Sequence, residues 1–311
     1  MTTKPIMETT IQTLDLNFRG QAGAIAAYLI PHAHGAVLIE CGPASTLPAL
    51  EAGLQAHGLQ VSDVTDVLLT HIHLDHGGAA GWLARRGARI HVHPVGAPHL
   101  LNPEKLLASA ERIYGDKMIE LWGEFLPVPA ARLSVVEDNQ VIEIEGLRFT
   151  ALDTPGHAYH HHVYLFQDVC FSGDIGGVRI GGVRHLRMPM PPPEFHLELW
   201  RESLQRLQTA YTLGDFKRIA PTHFGIYDDP DWHLKAAQQA LDEVEYWMLQ
   251  VMPQNPPIEE LTESFVAWAR ERSLRYGVNP QLLDPLEAAN PSWMSAYGIQ
   301  RYWRKVRNPT Y

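Results

Sequence analysis

The chain has 311 residues, enough for one large domain or two ordinary ones, and 45% of them are apolar. Its 25 basic and 35 acidic residues give a formal net charge of −10, which argues against nucleic acid as the default partner. Residues 1–8 lack the pattern of a signal peptide, no run of about eighteen apolar residues is present, and Cys41 and Cys170 stand far apart. We therefore expect a cytoplasmic protein with reduced, buried thiols and no membrane segment.

The first seventy residues are predicted to form strands and one helix. Apolar, β-branched runs separated by glycine- or proline-containing turns predict the strands. These are residues 11–16, 24–30, 36–40 and 64–69. Residues 47–57 are predicted to be a helix that ends at Gly58.

Four candidate metal ligands are crowded immediately after the strand predicted at 64–69: His71, His73, Asp75 and His76. Neutral imidazole and carboxylate are ligands that zinc, iron and manganese accept. His71 and His73 are two residues apart, so extended backbone directs both rings to one side. Asp75 and His76 diverge from that pair and can serve a second ion. The cluster therefore predicts a metal site at the carboxyl end of a strand.

Shorter elements follow the cluster. A helix is predicted at residues 78–86 and a strand at 89–93, in which His91 and His93 share one face and have a structural or pocket-wall role. Residues 103–125 keep roughly helical spacing. Four further strands are expected, two in a hairpin at 141–152 and one each at 163–166 and 169–171.

Three later motifs each place one candidate ligand beside or near a glycine at the end of an apolar run. They are Thr-Pro-Gly-His ending at His157, Phe-Ser-Gly-Asp ending at Asp174, and Pro-Thr-His-Phe-Gly around His223. The histidines at 160–162 enlarge the choice of ligand. His157 is preferred because Gly156 allows the backbone to approach an ion.

Residues 176–193 are rich in glycine and proline, which excludes a helix or a central strand. This density predicts a long surface loop of partly fixed shape. Because the loop follows Asp174, we interpret it as a wall of the substrate pocket, with Arg184 and Arg187 as candidate contacts to an anionic group. A dimer contact is the alternative interpretation.

The end of the chain is predicted to be helical. Residues 193–213 form an amphipathic pattern, and two further apolar stripes begin at Leu234 and Ile258, separated by a proline-rich linker at 253–257. We therefore divide the chain into residues 1–230 and a helical region, 231–311. The two stripes must be buried on the first region or on a second subunit, so a homodimer through the tail is one expectation.

His-x-His-x-Asp-His at 71–76, followed in order by His157, Asp174 and His223, resembles the metallo-β-lactamase-fold hydrolase superfamily over about residues 10–230. Asp174 stands where true β-lactamases usually carry a cysteine, so the pattern is similar to the glyoxalase-II-like and lactonase-like branches. The resemblance implies an α+β fold, a four-layer αββα sandwich, with a C-terminal helical appendage. The turn at Glu40 departs from the Asp-x-Gly turn that is common in the superfamily.

The resemblance also implies a site with two divalent metal ions. It assigns the first ion to His71, His73 and His157 and the second to Asp75, His76 and His223. Asp174 bridges the two ions, and Asp75 has an additional catalytic role. Zinc is the preferred metal, with iron or manganese as alternatives. Insertions such as 103–125 often overhang the metal site in this superfamily, which makes Tyr114 a candidate substrate contact.

The implied function is hydrolysis of a small carboxylic thioester, ester or lactone by a hydroxide that bridges the metals. The Gly-x-Ser-x-Gly motif of serine hydrolases is absent. One alternative is a mononuclear iron persulfide dioxygenase that would use only His71, His157 and Asp174. A phosphodiesterase is disfavoured by the acidic chain, and a non-enzymatic sensor or scaffold would not need all seven ligands. We expect a small-molecule substrate, without a nucleic-acid or membrane partner.

Overall fold

The computed structural model describes residues 10–308, and its strands form two mixed sheets. The strands of the first sheet, which lie side by side in chain order, are β1 (Gln12–Asp15), β2 (Ala26–His32), β3 (Gly35–Ile39), β4 (Val64–Leu68), β5 (Arg89–Val92) and β6 (Leu133–Val135). β2 is antiparallel to both β1 and β3, and the pairs from β3 to β6 are parallel.

The second sheet contains β7 (Val141–Ile144), β8 (Leu147–Asp153), β9 (His162–Phe166), β10 (Val169–Phe171) and β11 (Arg218–Ala220). Its order is β11-β10-β9-β8-β7, with only β10 and β11 parallel. The strands predicted from the apolar runs are confirmed, with ends shifted by a few residues.

Helices cover the outer faces of the two sheets. They are α1 (Leu47–Ala56), α2 (Leu74–Gly77), α3 (Ala80–Ala84), α4 (Ala97–Leu101), α5 (Glu104–Tyr114), α6 (Met118–Trp122), α7 (Leu197–Leu213), α8 (Pro230–Val251), α9 (Ile258–Arg275), α10 (Leu283–Ala289) and α11 (Ser292–Tyr302). The helix predicted at 103–125 is divided into α5 and α6 at Gly115, whose φ of +52° lies in the left-handed region.

Three buried apolar clusters separate four layers. One lies between the first sheet and α1 to α6, a second between the two sheets, and a third between the second sheet and α7, α8, α9 and α11. The alternation within β2 shows the arrangement, because Leu29 belongs to the first cluster and Tyr28 to the cluster between the sheets. The predicted four-layer sandwich with a C-terminal helical region is therefore confirmed.

The tail contains more helix than the two apolar stripes predicted. Beyond α8 and α9, which carry the stripes, it adds α10 and α11. Leu283 and Leu286 of α10 join the core of the first sheet, whereas α8, α9 and α11 join that of the second. The apolar faces of the tail helices therefore pack against the sandwich of the same chain. The division at residue 230 and the homodimer stay predictions.

The prediction of a surface loop after Asp174 is wrong for most of its length. Arg179, His185, Arg187 and Met188 are almost fully buried, and the exposed residues are those around Gly182 and Pro193 at the end of the loop. The tail covers this loop. At Gly298 of α11, a Cβ atom would lie 1.9 Å from the carbonyl oxygen of Met190, so only glycine permits the helix to approach this closely.

No helix in the described part of the chain has both the length and the apolar character needed to cross a bilayer. The expectation that residues 1–8 carry no signal peptide falls outside the described residues.

Candidate metal centre

The predicted ligands lie in the segments that follow strands of both sheets. The cluster 71–76 follows β4, His157 follows β8, Asp174 follows β10 and His223 follows β11. The structure brings the seven side chains together. Six of them form two groups, and within each group the candidate ligand atoms lie within 4.8 Å of one another. The first group is His71, His73 and His157, and the second is Asp75, His76 and His223.

Asp174 lies between the two groups. Its Oδ2 atom is 3.3 Å from Nε2 of His157 in the first group. Its Oδ1 atom is 3.4 Å from Nε2 of His76 and 3.5 Å from Nε2 of His223 in the second. Asp75 Oδ2 completes the second group at 3.5 Å from Nε2 of His223. One carboxylate oxygen therefore faces each group.

Hydrogen bonds donated by Nδ1–H direct Nε2 of several rings towards the centre. Nδ1–H of His76 donates to Glu40 Oε1 at 3.0 Å, that of His157 to the Pro189 carbonyl at 2.8 Å, and that of His223 to the Ala24 carbonyl at 2.7 Å. These acceptors favour the tautomer with a free lone pair on Nε2, as is usual for metal-binding histidines.

The donor set fits a cation. Nδ1 of His73 lies 3.0 Å from Nε2 of His71 and 2.9 Å from Nε2 of His157, so three ring nitrogens converge. A single ring proton on Nδ1 can satisfy only one of these two contacts. Nε2 of His76 and Oδ1 of Asp174 are buried and have no hydrogen-bond partner among the described residues. An ion in each group would satisfy these atoms.

The electrostatics of the two groups differ. Burial lowers the pKa of His73 to about 4, and burial together with neighbouring imidazoles lowers the pKa of His71 well below its usual range. In the second group burial opposes charge, but Asp75 and Asp174 raise the pKa of His76 well above its usual range. Burial also opposes ionisation of Asp174, but surrounding imidazoles hold its pKa well below the usual range. The first group therefore offers neutral imidazoles and Asp174 an ionised carboxylate, whereas His76 would release its proton when an ion binds.

Glu40 connects the loops that carry the ligands. Its buried carboxylate accepts hydrogen bonds from the hydroxyl groups of Thr70 and Thr222 and from Nδ1–H of His76. Its backbone φ of +65° is in the left-handed region, which aims the side chain at these donors. A longer carboxylate thus supports the metal loop at the turn where the superfamily commonly has aspartate.

The other histidines lie around the two groups. Nε2 of His160 is 3.2 Å from the Glu194 carboxylate, and Nε2 of His161 accepts a hydrogen bond from the backbone N–H of Asp174. His91 and His93 pair with Asp66 and Asp153, and His162 groups with His93 and Asp153 away from Asp174.

Gly156, beside His157, is also required by the packing of a helix, and its role in the approach to an ion stays a prediction. Its φ is +139°, and a Cβ atom would lie 2.3 Å from Cα of Trp200 at the start of α7. Glycine is therefore required by the approach of this helix to the loop.

A cavity of about 660 Å³ adjoins the two groups, and its wall includes His73, Asp75, His157 and Asp174. Tyr114 also lines it, in the position expected of a substrate contact. Residues 288–295 of the tail supply another part of the wall, which no signal in the spacing of the sequence predicted. The volume suits a small molecule.

Arg184 and Arg187 do not have the predicted position. Neither is among the described residues that line the cavity. The largely exposed Arg184 pairs with Asp229, and the buried Arg187 pairs with Glu287 of α10. Both guanidinium groups are thus committed to partners that stabilise the loop and the tail.

A two-sheet sandwich with histidines and aspartates gathered beyond its strand ends defines the class of protein. The sequence profile of the metallo-beta-lactamase superfamily matches residues 20–219, and the chain belongs to this superfamily. Members are generally hydrolytic enzymes that bind divalent metals, typically zinc.

Relatives include the metallo-beta-lactamase fold-containing protein ST1585 of Sulfurisphaera tokodaii, 31% identical over 177 residues, with 55% of this chain and 66% of that protein covered. The hydroxyacylglutathione hydrolase of Xylella fastidiosa is 28% identical over 189 residues, covering 60% and 58%. The atrochrysone carboxyl ACP thioesterase of Aspergillus fumigatus is 33% identical over 113 residues, covering 36% and 27%. The chain thus matches between about a quarter and two thirds of the length of these relatives.

Among solved structures, the metallo-beta-lactamase family protein TTHA1429 from Thermus thermophilus is similar over 95% of this chain and 93% of its own, with a TM-score of 0.59 and 22% identity. This likeness concerns the fold, and it extends into the helical tail.

Proposed function

We propose that the chain is a dinuclear metal hydrolase that cleaves a small carboxylic thioester, ester or lactone. The observation that carries the proposal is Asp174, whose two oxygens face two separate groups of ligands beside the cavity. A relative named a thioesterase and another named a hydroxyacylglutathione hydrolase support acyl transfer to water as the reaction. A small-molecule substrate agrees with the cavity volume.

In this proposal His71, His73 and His157 hold one ion, and Asp75, His76 and His223 hold the other, with Asp174 shared. Two divalent ions, preferably zinc, supply Lewis acidity and lower the pKa of water from about 15.7 to around 7. Asp75 lines the cavity and its side chain is 22% exposed, so water can reach its carboxylate. Burial opposes ionisation of Asp75, but His76 and His223 hold its pKa at about 2, so the carboxylate stays ionised and can accept a hydrogen bond from the attacking water.

Tyr114 has the features of a substrate contact. Burial, together with the charge of Asp75, raises the pKa of the Tyr114 phenol above its usual range, so the group stays neutral and can donate. Its hydroxyl donates to Sδ of Met294 at 3.6 Å, a weak acceptor that a substrate oxygen can replace.

A hydrolase panel on zinc-loaded protein tests the proposal. The panel contains a glutathione thioester, a homoserine lactone, p-nitrophenyl acetate and bis-p-nitrophenyl phosphate. We expect turnover of at least one acyl substrate, with loss of turnover after treatment with a chelator, because the bound ions supply the activated water. Turnover of the phosphodiester alone would contradict acyl hydrolysis and favour a phosphodiesterase.

A further inference from the structure

The buried wall of the cavity is mainly apolar. Its apolar residues come from several separate parts of the chain and include Phe18, Leu106, Ile113, Trp122, Trp293 and Met294. Of these, Phe18 and Trp122 are almost fully buried. The cavity therefore offers far more apolar surface than a two- or three-carbon acyl group can cover.

Aromatic contacts give this wall a defined shape. The rings of Phe18 and Trp122 stack with centroids 5.4 Å apart, and Tyr114 meets Trp122 edge-on at 5.0 Å. The ring of Trp293, from the tail, is edge-on to that of Tyr114, with centroids 6.3 Å apart. Interlocked aromatic side chains lose little entropy when a ligand binds, so the pocket is largely formed before substrate arrives.

Apart from Asp75 and Asp174 of the candidate metal centre and the half-buried Glu194, the charged residues of the wall are exposed. They are Arg19, Lys105, Lys117 and Glu120, and both signs are represented. The two arginines predicted to contact an anionic group are paired elsewhere. The buried part of the cavity therefore has no cation among the described residues to receive a charged acyl chain.

We infer that the acyl group of the substrate is a bulky apolar chain, of about six to eight carbons or carrying an aromatic ring, and that Trp293 and Met294 of the tail select it. This inference rests on the proposed function, which supplies the scissile acyl bond. It gives the tail a role in substrate specificity. The spacing of the tail sequence did not indicate that tail residues line the pocket.

Hydrolysis of N-acetylcysteamine thioesters with acetyl, butanoyl, hexanoyl and octanoyl groups tests the inference on zinc-loaded, full-length protein. Burial of each added methylene contributes about 0.8 kcal/mol, or about fourfold in kcat/KM. We expect kcat/KM to rise at least tenfold from acetyl to hexanoyl. Trp293→Ala should reduce the hexanoyl-to-acetyl ratio by about tenfold, and Met294→Ala by less, because they shorten the apolar wall.

Tyr246→Ala is the matched control, since this aromatic residue also lies in the tail but is 67% exposed and outside the cavity wall. The hexanoyl-to-acetyl ratio of kcat/KM in this variant should equal that of the wild type. A flat dependence on chain length, or an unchanged ratio in both the Trp293 and Met294 variants, would overturn the inference.

Calorimetric titration with acetate and hexanoate separates the inference from the proposed function. Tighter binding of hexanoate in the wild type, weakened in Trp293→Ala, supports the apolar pocket even if no thioester is hydrolysed. In that case the proposed function fails and the pocket stands. If the protein hydrolyses thioesters but binds the two acids equally, the inference of an apolar acyl pocket fails and the proposed function stands.

Discussion

Replacement of Asp174 by alanine is expected to abolish hydrolysis and to leave fewer than two metal ions per chain. The two oxygens of Asp174 face different groups of ligands, at 3.3 Å from His157 and 3.4 Å from His76. Loss of one side chain therefore removes a ligand from both ions. We expect activity to fall about a thousandfold or more, which corresponds to ~4 kcal/mol of transition-state stabilisation. Elemental analysis and the acyl-substrate assay measure the two effects.

Two variants serve as controls for Asp174→Ala. Asp66 is also a buried aspartate beside a histidine, at 2.7 Å from Nε2 of His91, but it lies outside both groups of ligands. Asp66→Ala should keep both ions. His160→Ala should also keep them, because Nε2 of His160 faces Glu194. Loss of metal from His160→Ala would show that the choice of His157 over its neighbour is wrong.

Replacement of Glu40 by alanine is expected to destabilise the fold by about 3 to 5 kcal/mol, the range for removing one partner of a buried charged network. The carboxylate is fully buried and accepts hydrogen bonds from Thr70, His76 and Thr222, which would all lose their acceptor. Glu40→Gln should be more stable than Glu40→Ala but bind metal about 10- to 100-fold more weakly than the wild type, because His76 loses its charged acceptor. Urea denaturation and chelator competition measure the two quantities.

Glu145→Ala is the matched control for Glu40→Ala. Glu145 is also a glutamate with positive φ, +48°, so the change in backbone preference is the same, but it is exposed and pairs with the exposed His34. Its variant should stay within about 0.5 kcal/mol of the wild type. Equal, small effects of the two substitutions would contradict the role of Glu40 as the support of the metal loop.

The gathering of the ligands could be predicted from sequence because each motif follows an apolar run. Such runs form the strands β4, β8, β10 and β11, and their ends meet where the two sheets face each other. The spacing of His71 and His73 then fixes which side chains can share an ion. Local pattern was sufficient because each ligand is tied to a strand end.

The burial of the loop after Asp174 could not be predicted in the same way. Arg187 suggests an exposed position, since arginine is seldom buried without a partner. Its partners Ser273, Glu287 and Ser292 lie 86, 100 and 105 residues further along the chain. The part of the cavity wall that the tail supplies could not be predicted either. Helix α11 carries no regular apolar stripe, and it depends on Gly298 to approach Met190. Contacts at this separation leave no trace in local periodicity.

Metal content per chain is the most direct test of the central claim, which is a site that holds two ions bridged by Asp174. Elemental analysis of protein purified without added metal should give two divalent ions per chain, preferably zinc, because two complete groups of ligands are assembled. One iron per chain and no other metal would contradict the dinuclear site. It would favour the persulfide dioxygenase, which needs only His71, His157 and Asp174.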